Sequence, residues 1–342
     1  MSAQEKFGWG LIGTGRHAER FVAPAMCASK TSRLAAVFSR DRIRGREFAT
    51  KHGCPSAYDS LDELLDDQGV DAVFVCSPNH VHKEQVIRAA AAGKHVLCEK
   101  PLAITSADCL AMIHACRNAG VRLAVGFHLR HNPLHTAVRE IVSRGTLGEI
   151  VFAEVQYMHV IGGGLSRISA PWRRDAKIAG GGSFLSTGTH ALDLLRFVLK
   201  REATRVSAMA DEEWQKSGME RLIQTSLLFQ GNLIAHLSAG PMKYPQNDLV
   251  LCGSSGSLRC TGSIGNHGGG MLELVSDQGK ETTQFDPCDV YERELDGFVA
   301  GLHGGDDISA SGHDGYEVAR VSDAVYESLQ KRATIDLSSA AT

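Results

Sequence analysis

The stretch FGWGLIGTGRHAER, residues 7–20, decides the fold. Its first six residues, Phe7–Ile12, form a short apolar run with the length of a buried strand. That run passes directly into Gly13-Thr14-Gly15-Arg16-His17-Ala18, and a helical stretch follows. The first glycine permits a tight turn, and the second lets the backbone approach a pyrophosphate. Ala18, in the third position, allows the helix to pack closely on the strand. The start of the helix offers free N–H groups and a favourable dipole to the phosphates. This spacing arises by chance in glycine-rich chains, but strand, turn and helix here fall in the order that opens a βαβ unit. Dinucleotide binding is therefore preferred to a purely structural turn.

Outward from this point the pattern repeats. Apolar runs at Leu34–Phe38, Ala72–Cys76, His95–Cys98 and Leu123–Val125 alternate with helical stretches at Arg16–Ser29, Arg42–His52, His80–Ala92 and Ser106–Ala119. The rhythm predicts a parallel sheet covered by helices. After residue 127 the character changes. A helix over Leu134–Arg144, an alternating strand over Glu149–His159, a glycine-rich stretch and a helix over Phe184–Leu199 are expected. A hairpin is expected around Gln230-Gly231-Asn232, with further helices at Val290–Leu302 and Tyr316–Lys331. The expected fold class is α/β, an N-terminal Rossmann parallel sheet with a C-terminal α+β domain on an open, mostly antiparallel sheet. The expected division is 1–126 for dinucleotide binding and a second domain over 127–342.

The chain has 342 residues, 43% hydrophobic and 22% charged, with a formal net charge of −3. That balance excludes a nucleic-acid footprint, and no apolar run is long enough for a membrane span. The beginning MSAQEKFGWG lacks the apolar core of a signal peptide. Nine cysteines are scattered without a CxxC spacing, as in reduced thiols, so a cytoplasmic protein is expected.

The second apolar run chooses between dinucleotides. An NAD site offers an acid at the end of this strand for the adenosine ribose, but Ser39 and Arg40 stand there and Asp41 follows. A hydroxyl and a guanidinium suit a 2′-phosphate, so NADP is favoured, with NAD possible.

GTGRHA, SPNHVH (77–82), CEKPLA (98–103) and GGGSFLSTGTHALD (180–193) together resemble the Gfo/Idh/MocA oxidoreductases, named for glucose–fructose oxidoreductase and inositol dehydrogenase. RHNPLHTAVREIVSRGTLGEI (130–150) is similar to that family's linking region. Within the family the likeness is to NADP-dependent sugar reductases of the 1,5-anhydrofructose reductase and xylose dehydrogenase type. The resemblance implies hydride transfer between a nicotinamide and a sugar, polyol or related carbonyl compound, in a homodimer or homotetramer. It puts Glu99-Lys100-Pro101 beside the nicotinamide, with the Lys100–Pro101 bond often cis.

Lys100 is then the expected acid/base, and His190 a substrate ligand or proton relay. Cofactor contacts are expected from Gly13, Thr14, Gly15, Arg16, His17, Ser39, Arg40, Ser77, Pro78, Asn79, His82, Glu99 and Lys100. Trp172 and Arg173 match a pair that approaches cofactor or substrate in relatives, or else form a surface loop. Ser77 to His82 read equally as a loop and helix cap. Gly180–Gly182 would let backbone pass close to substrate, or form a flexible loop. The sequence departs from the family pattern at Ser186, where an aspartate stands four residues before the histidine. Serine cannot take a proton at neutral pH, but it can hydrogen-bond a substrate hydroxyl. Asp193 reads as an orienting or structural group. His128, His131 and His135 raise a zinc reading, rejected because Pro133 interrupts the spacing and no acid is near. Two other functions remain open: a non-catalytic dinucleotide-binding regulator, and a dehydrogenase of a dihydrodiol or aldehyde that is not a sugar.

Overall fold

The computed structural model describes residues 6–160, 171–305 and 309–337. Part of the expected glycine-rich stretch, at 162–164, lies outside them. The chain divides into two compact units, Met1–Phe127 with Tyr291–Tyr316, and His128–Val290 with Glu317–Thr342.

In the first unit, strands β1 (Phe7–Ile12), β2 (Ser32–Phe38), β3 (Ser56–Tyr58), β4 (Ala72–Val75), β5 (His95–Glu99) and β6 (Leu123–Gly126) run parallel in the order 6-5-4-1-2-3. The short strand Ala310–Ser311 adds antiparallel to β6. The chain winds one way from β1 to β3 and the other way from β4 to β6. The reversal lies between β1 and β4, and such a crevice at the carboxyl ends of strands is where α/β sheets hold ligands. Trp9, Leu11, Ile12, Phe74, Val96 and Leu97 are buried in the sheet. Each such side chain contributes about 1.5–3 kcal/mol by leaving water.

The sequence reading missed β3 and the helix Leu61–Asp66, elements too short for periodicity to register. It also placed all of 127–342 in one domain, whereas Tyr291–Tyr316 belong to the first unit. The reason lies in packing. Phe298 meets the ring of Trp9 at 5.1 Å, and Tyr291 stacks on Phe21 at 5.2 Å. Helical periodicity reveals an apolar stripe but not which core it covers.

The second unit holds a nine-stranded sheet. Strands β7 (Ile150–Val160), β8 (Ala203–Ala210), β9 (Ile223–Phe229), β10 (Leu233–Met242), β11 (Leu249–Gly253), β12 (Gly256–Thr261), β13 (Gly270–Ser276) and β14 (Gly279–Phe285) take the order 14-13-12-11-7-10-9-8, and Ile335–Asp336 follows β8 at the edge. Among the described residues of this sheet, β7 and β10 pair parallel and the other neighbours antiparallel. Along β9, Ile223, Thr225, Leu227 and Phe229 are buried while Gln224 and Ser226 are exposed, so one face packs inward. The helix Thr189–Leu199 is buried on every side, in keeping with its apolar run. Among the described residues no helix is long and apolar enough to cross a membrane.

Candidate active site

Gly13 follows β1 with φ of +110°, and a Cβ there would lie 2.8 Å from the carbonyl oxygen of Cys76. Only glycine fits, because left-handed backbone and the end of β4 both exclude a side chain. Its N–H donates to Phe38 O at 3.0 Å, which fixes the turn against β2. At Gly15 the surroundings are open, with no atom within 4 Å of an added Cβ. Helical structure starts at Arg16, and Ala18 is fully buried. An open approach over a helix start fits a dinucleotide pyrophosphate.

At the end of β2 the expected ligands separate. Thr14 Oγ1 donates to Ser39 Oγ at 3.2 Å, and Ser39 Oγ accepts the Asp41 N–H at 3.3 Å. Ser39 is buried, so its hydroxyl braces the phosphate turn rather than opening to solvent. Arg40 is exposed. Asp41 caps the helix Arg42–His52, its Oδ1 accepting from the amides of Ile43 and Arg44 at 3.0 and 3.1 Å.

His82 requires a correction. Expected to line the cofactor, it is fully buried, with Nε2 2.9 Å from Ser77 O and Nδ1 3.0 Å from Pro101 O. Burial pushes its pKa down, with the carbonyls of Ser77 and Pro101 opposing. It ties the turn after β4 to the turn after β5. Ser77 Oγ donates to Gln85 Oε1 at 2.5 Å, Pro78 precedes the single turn Asn79–Val81, and Asn79 is buried.

Glu99 ends β5, Lys100 follows half-buried, and the Lys100–Pro101 bond is cis. Glu99 Oε2 accepts the amide of Lys100 at 3.2 Å, while Oε1 lies 2.8 Å from His17 Nε2. His17 therefore turns toward the end of β5, its ring edge-on to Tyr291 at 5.4 Å.

In the second unit, Ser186 lies in a π-helical turn, Phe184–Gly188, that leads into Thr189–Leu199. The wider turn alters the angle between Ser186 and His190 from that of an α-helix. His190 is buried, with the ring of His128 edge-on at 4.5 Å and Tyr157 at 5.8 Å. His128 Nε2 is 3.0 Å from Gly265 O, so this nitrogen carries the proton. Asp193 takes a bidentate pair from Arg130, with Nε to Oδ2 at 2.8 Å and Nη2 to Oδ1 at 2.6 Å, as an orienting or structural group does. Arg173 is exposed and stacks over Trp172 at 4.5 Å. His135 is committed elsewhere, Nδ1 to Leu129 O at 2.7 Å and Nε2 to Ser263 Oγ at 3.1 Å, with no nitrogen left for zinc.

Residues 7–127 match the family model described as "Oxidoreductase family, NAD-binding Rossmann fold", and residues 135–259 match the GFO/IDH/MocA C-terminal domain. The chain belongs to the Gfo/Idh/MocA oxidoreductases. The 1,5-anhydro-D-fructose reductase of Ensifer adhaerens is 34% identical over 309 residues, 90% of this chain and 91% of that protein. The D-xylose 1-dehydrogenase (NADP(+)) 2 of Haloferax volcanii is 30% identical over 332 residues, 96% of this chain and 99% of that one. Among solved structures, an aldose–aldose oxidoreductase from Caulobacter crescentus complexed with glycerol superposes with a TM-score of 0.86 at 28% identity, covering 97% of this chain and 100% of that one. This Gfo/Idh/MocA member is accordingly an enzyme, a dehydrogenase or reductase with an NAD(P)-binding Rossmann domain.

Sequence reasoning missed the contact of His128 and Tyr157 with His190. His128 drew notice only as one of three clustered histidines, and Tyr157 only as part of a strand. No local pattern reports that β7 and the turn before Pro133 converge on one helix.

Proposed function

We propose that this enzyme transfers a hydride between NADP and a sugar, polyol or related carbonyl compound, with Lys100 as the acid/base. The observation carrying the reading is the end of β5, where Glu99 accepts the amide of Lys100 and stands against His17 of the phosphate turn. Cradle and lysine thus share the carboxyl edge of one sheet. A bound nicotinamide supplies the hydride acceptor in one direction and the donor in the other. Lys100 as free amine takes the proton from the substrate hydroxyl, and as ammonium returns it to the carbonyl oxygen in reverse. His190 binds the substrate or relays that proton, and Ser186 hydrogen-bonds a substrate hydroxyl. Trp172 and Arg173 complete the cofactor or substrate contact.

Preference for NADP is supported by Asp41, whose carboxylate is taken by the helix it caps, and by the exposed Arg40 beside it. A cytoplasmic location is supported by nine cysteines that stand as thiols rather than disulfides. Homodimer or homotetramer formation is supported by the second sheet's outer face, where half-exposed Ile234 and partly buried Phe152 are register partners.

The test is a panel of aldoses, inositols, keto-sugars and a trans-dihydrodiol, followed by nicotinamide absorbance with each coenzyme. Turnover of a sugar or polyol with NADP is expected. Turnover of the dihydrodiol alone would reassign the substrate, and tight coenzyme binding without turnover would favour a regulator.

A further inference from the structure

Glu220 lies in the stretch between the helix Glu213–Ser217 and β9, and its side chain has no role in the chemistry above. It is 2% exposed, yet it carries a carboxylate. Such a group persists in a dry interior only where donors surround it. Oε2 accepts the Gly182 N–H at 3.1 Å, and Oε1 accepts the Phe184 N–H at 2.8 Å and the Tyr326 O–H at 3.2 Å. Its own carbonyl accepts the Ser183 N–H at 3.0 Å. Three successive amides at the start of the helix that carries Ser186 and His190 are thereby bound by one distant residue.

The glycines there are shaped to this contact. A Cβ on Gly182 would lie 1.9 Å from Glu220 O, and one on Gly181 would lie 2.0 Å from Tyr326 Oη. Gly181 and Gly182 therefore serve packing on Tyr326 and Glu220. Ser186 N–H donates to Gly182 O at 3.1 Å, so the first turn is referenced to the same anchored glycine.

We propose that Glu220 is a positioning residue for substrate recognition: its carboxylate sets the rotation of the Phe184–Gly188 turn and hence the direction of Ser186 and His190. The inference rests on the reading that Ser186 and His190 meet substrate. Burial raises the Glu220 pKa, with the backbone N–H groups opposing. The ionised form is therefore costly to bury, and the neutral Glu220→Gln is expected to fold while leaving one helix amide facing an NH2 group.

The experiment compares wild type, Glu220→Gln and Tyr326→Phe for thermal unfolding, substrate KM and kcat, NADP+ affinity, and hydrogen exchange in peptide 180–190. Expected for Glu220→Gln is a KM raised about tenfold or more, NADP+ affinity within about twofold, and faster exchange at 182–184. Tyr326→Phe keeps both backbone bonds and is expected to raise KM about threefold with a smaller gain in exchange. KM and exchange both at wild-type values in Glu220→Gln would overturn the proposal. If that variant does not fold, wild-type values in Tyr326→Phe would overturn it instead. Should wild type turn over no sugar, the functional reading fails, while exchange at 182–184 still decides whether Glu220 holds the turn.

Discussion

His17 Nε2 stands 2.8 Å from Glu99 Oε1, so the phosphate-binding turn and the residue preceding Lys100 meet side chain to side chain. The contact is one of proximity rather than an aligned hydrogen bond. Glu99 is nearly buried while His17 is partly open to water, which limits the strength of the pair. With Glu99 Oε2 accepting the Lys100 amide, one carboxylate touches both His17 and the backbone of the lysine. His17→Ala is expected to lower kcat about fivefold, in line with the order of 1 kcal/mol for a partly solvated pair. Steady-state kinetics at saturating coenzyme measure this, and an unchanged kcat would separate His17 from the reaction.

Lys100→Met should lose about 10²–10⁴-fold in kcat, the usual range for a general acid/base. NADP+ affinity by calorimetry should stay near wild type. Normal turnover would place the base on another residue.

Arg40→Ala should weaken NADP+ by about tenfold or more, as for one charge-assisted bond, and leave NAD+ unaffected. Asp41→Asn tests the other half of the argument. Because Asp41 caps a helix, this change should cost at most about 1 kcal/mol of stability and leave the coenzyme ratio as it was. Titrations with both coenzymes distinguish the two, and tighter NAD+ than NADP+ in wild type would end the NADP assignment.

Asp193→Ala removes a buried carboxylate that faces both Arg130 and Arg196. Removing one partner of a buried bidentate pair costs about 3–5 kcal/mol, so the denaturant midpoint of the second unit should fall clearly. An unmoved midpoint would contradict the structural role given to Asp193.

His135 sets an acid limit on stability. Burial lowers its pKa from 6.5 to about 4, so the unfolded chain takes up a proton before the folded one does. Stability from this group is complete above pH 6.5 and is lost as pH falls toward 4, amounting to about 3 kcal/mol. Urea titrations between these limits should show the loss, and His135→Gln should flatten the slope in that window.

Sequence read most of the first unit, because parallel strands buried on both faces must be short apolar runs between helices. It read the glycine turn too, since φ of +110° at Gly13 admits little else. It could not see that Ser39 would turn inward to Thr14, or that His82 would span two carbonyls. Thr14 meets Ser39 from the next strand and His82 reaches Pro101 beyond the next one, partners that local spacing does not report.

What the sequence alone determined was the family and the fold class. Those follow from local spacing and side-chain chemistry. Tertiary structure decided which polar groups face inward: Asp193 to Arg130, His135 to Ser263, and Glu220 to the helix that carries His190. A buried polar group must find its partner in space, and a neighbour in space leaves no period in the chain.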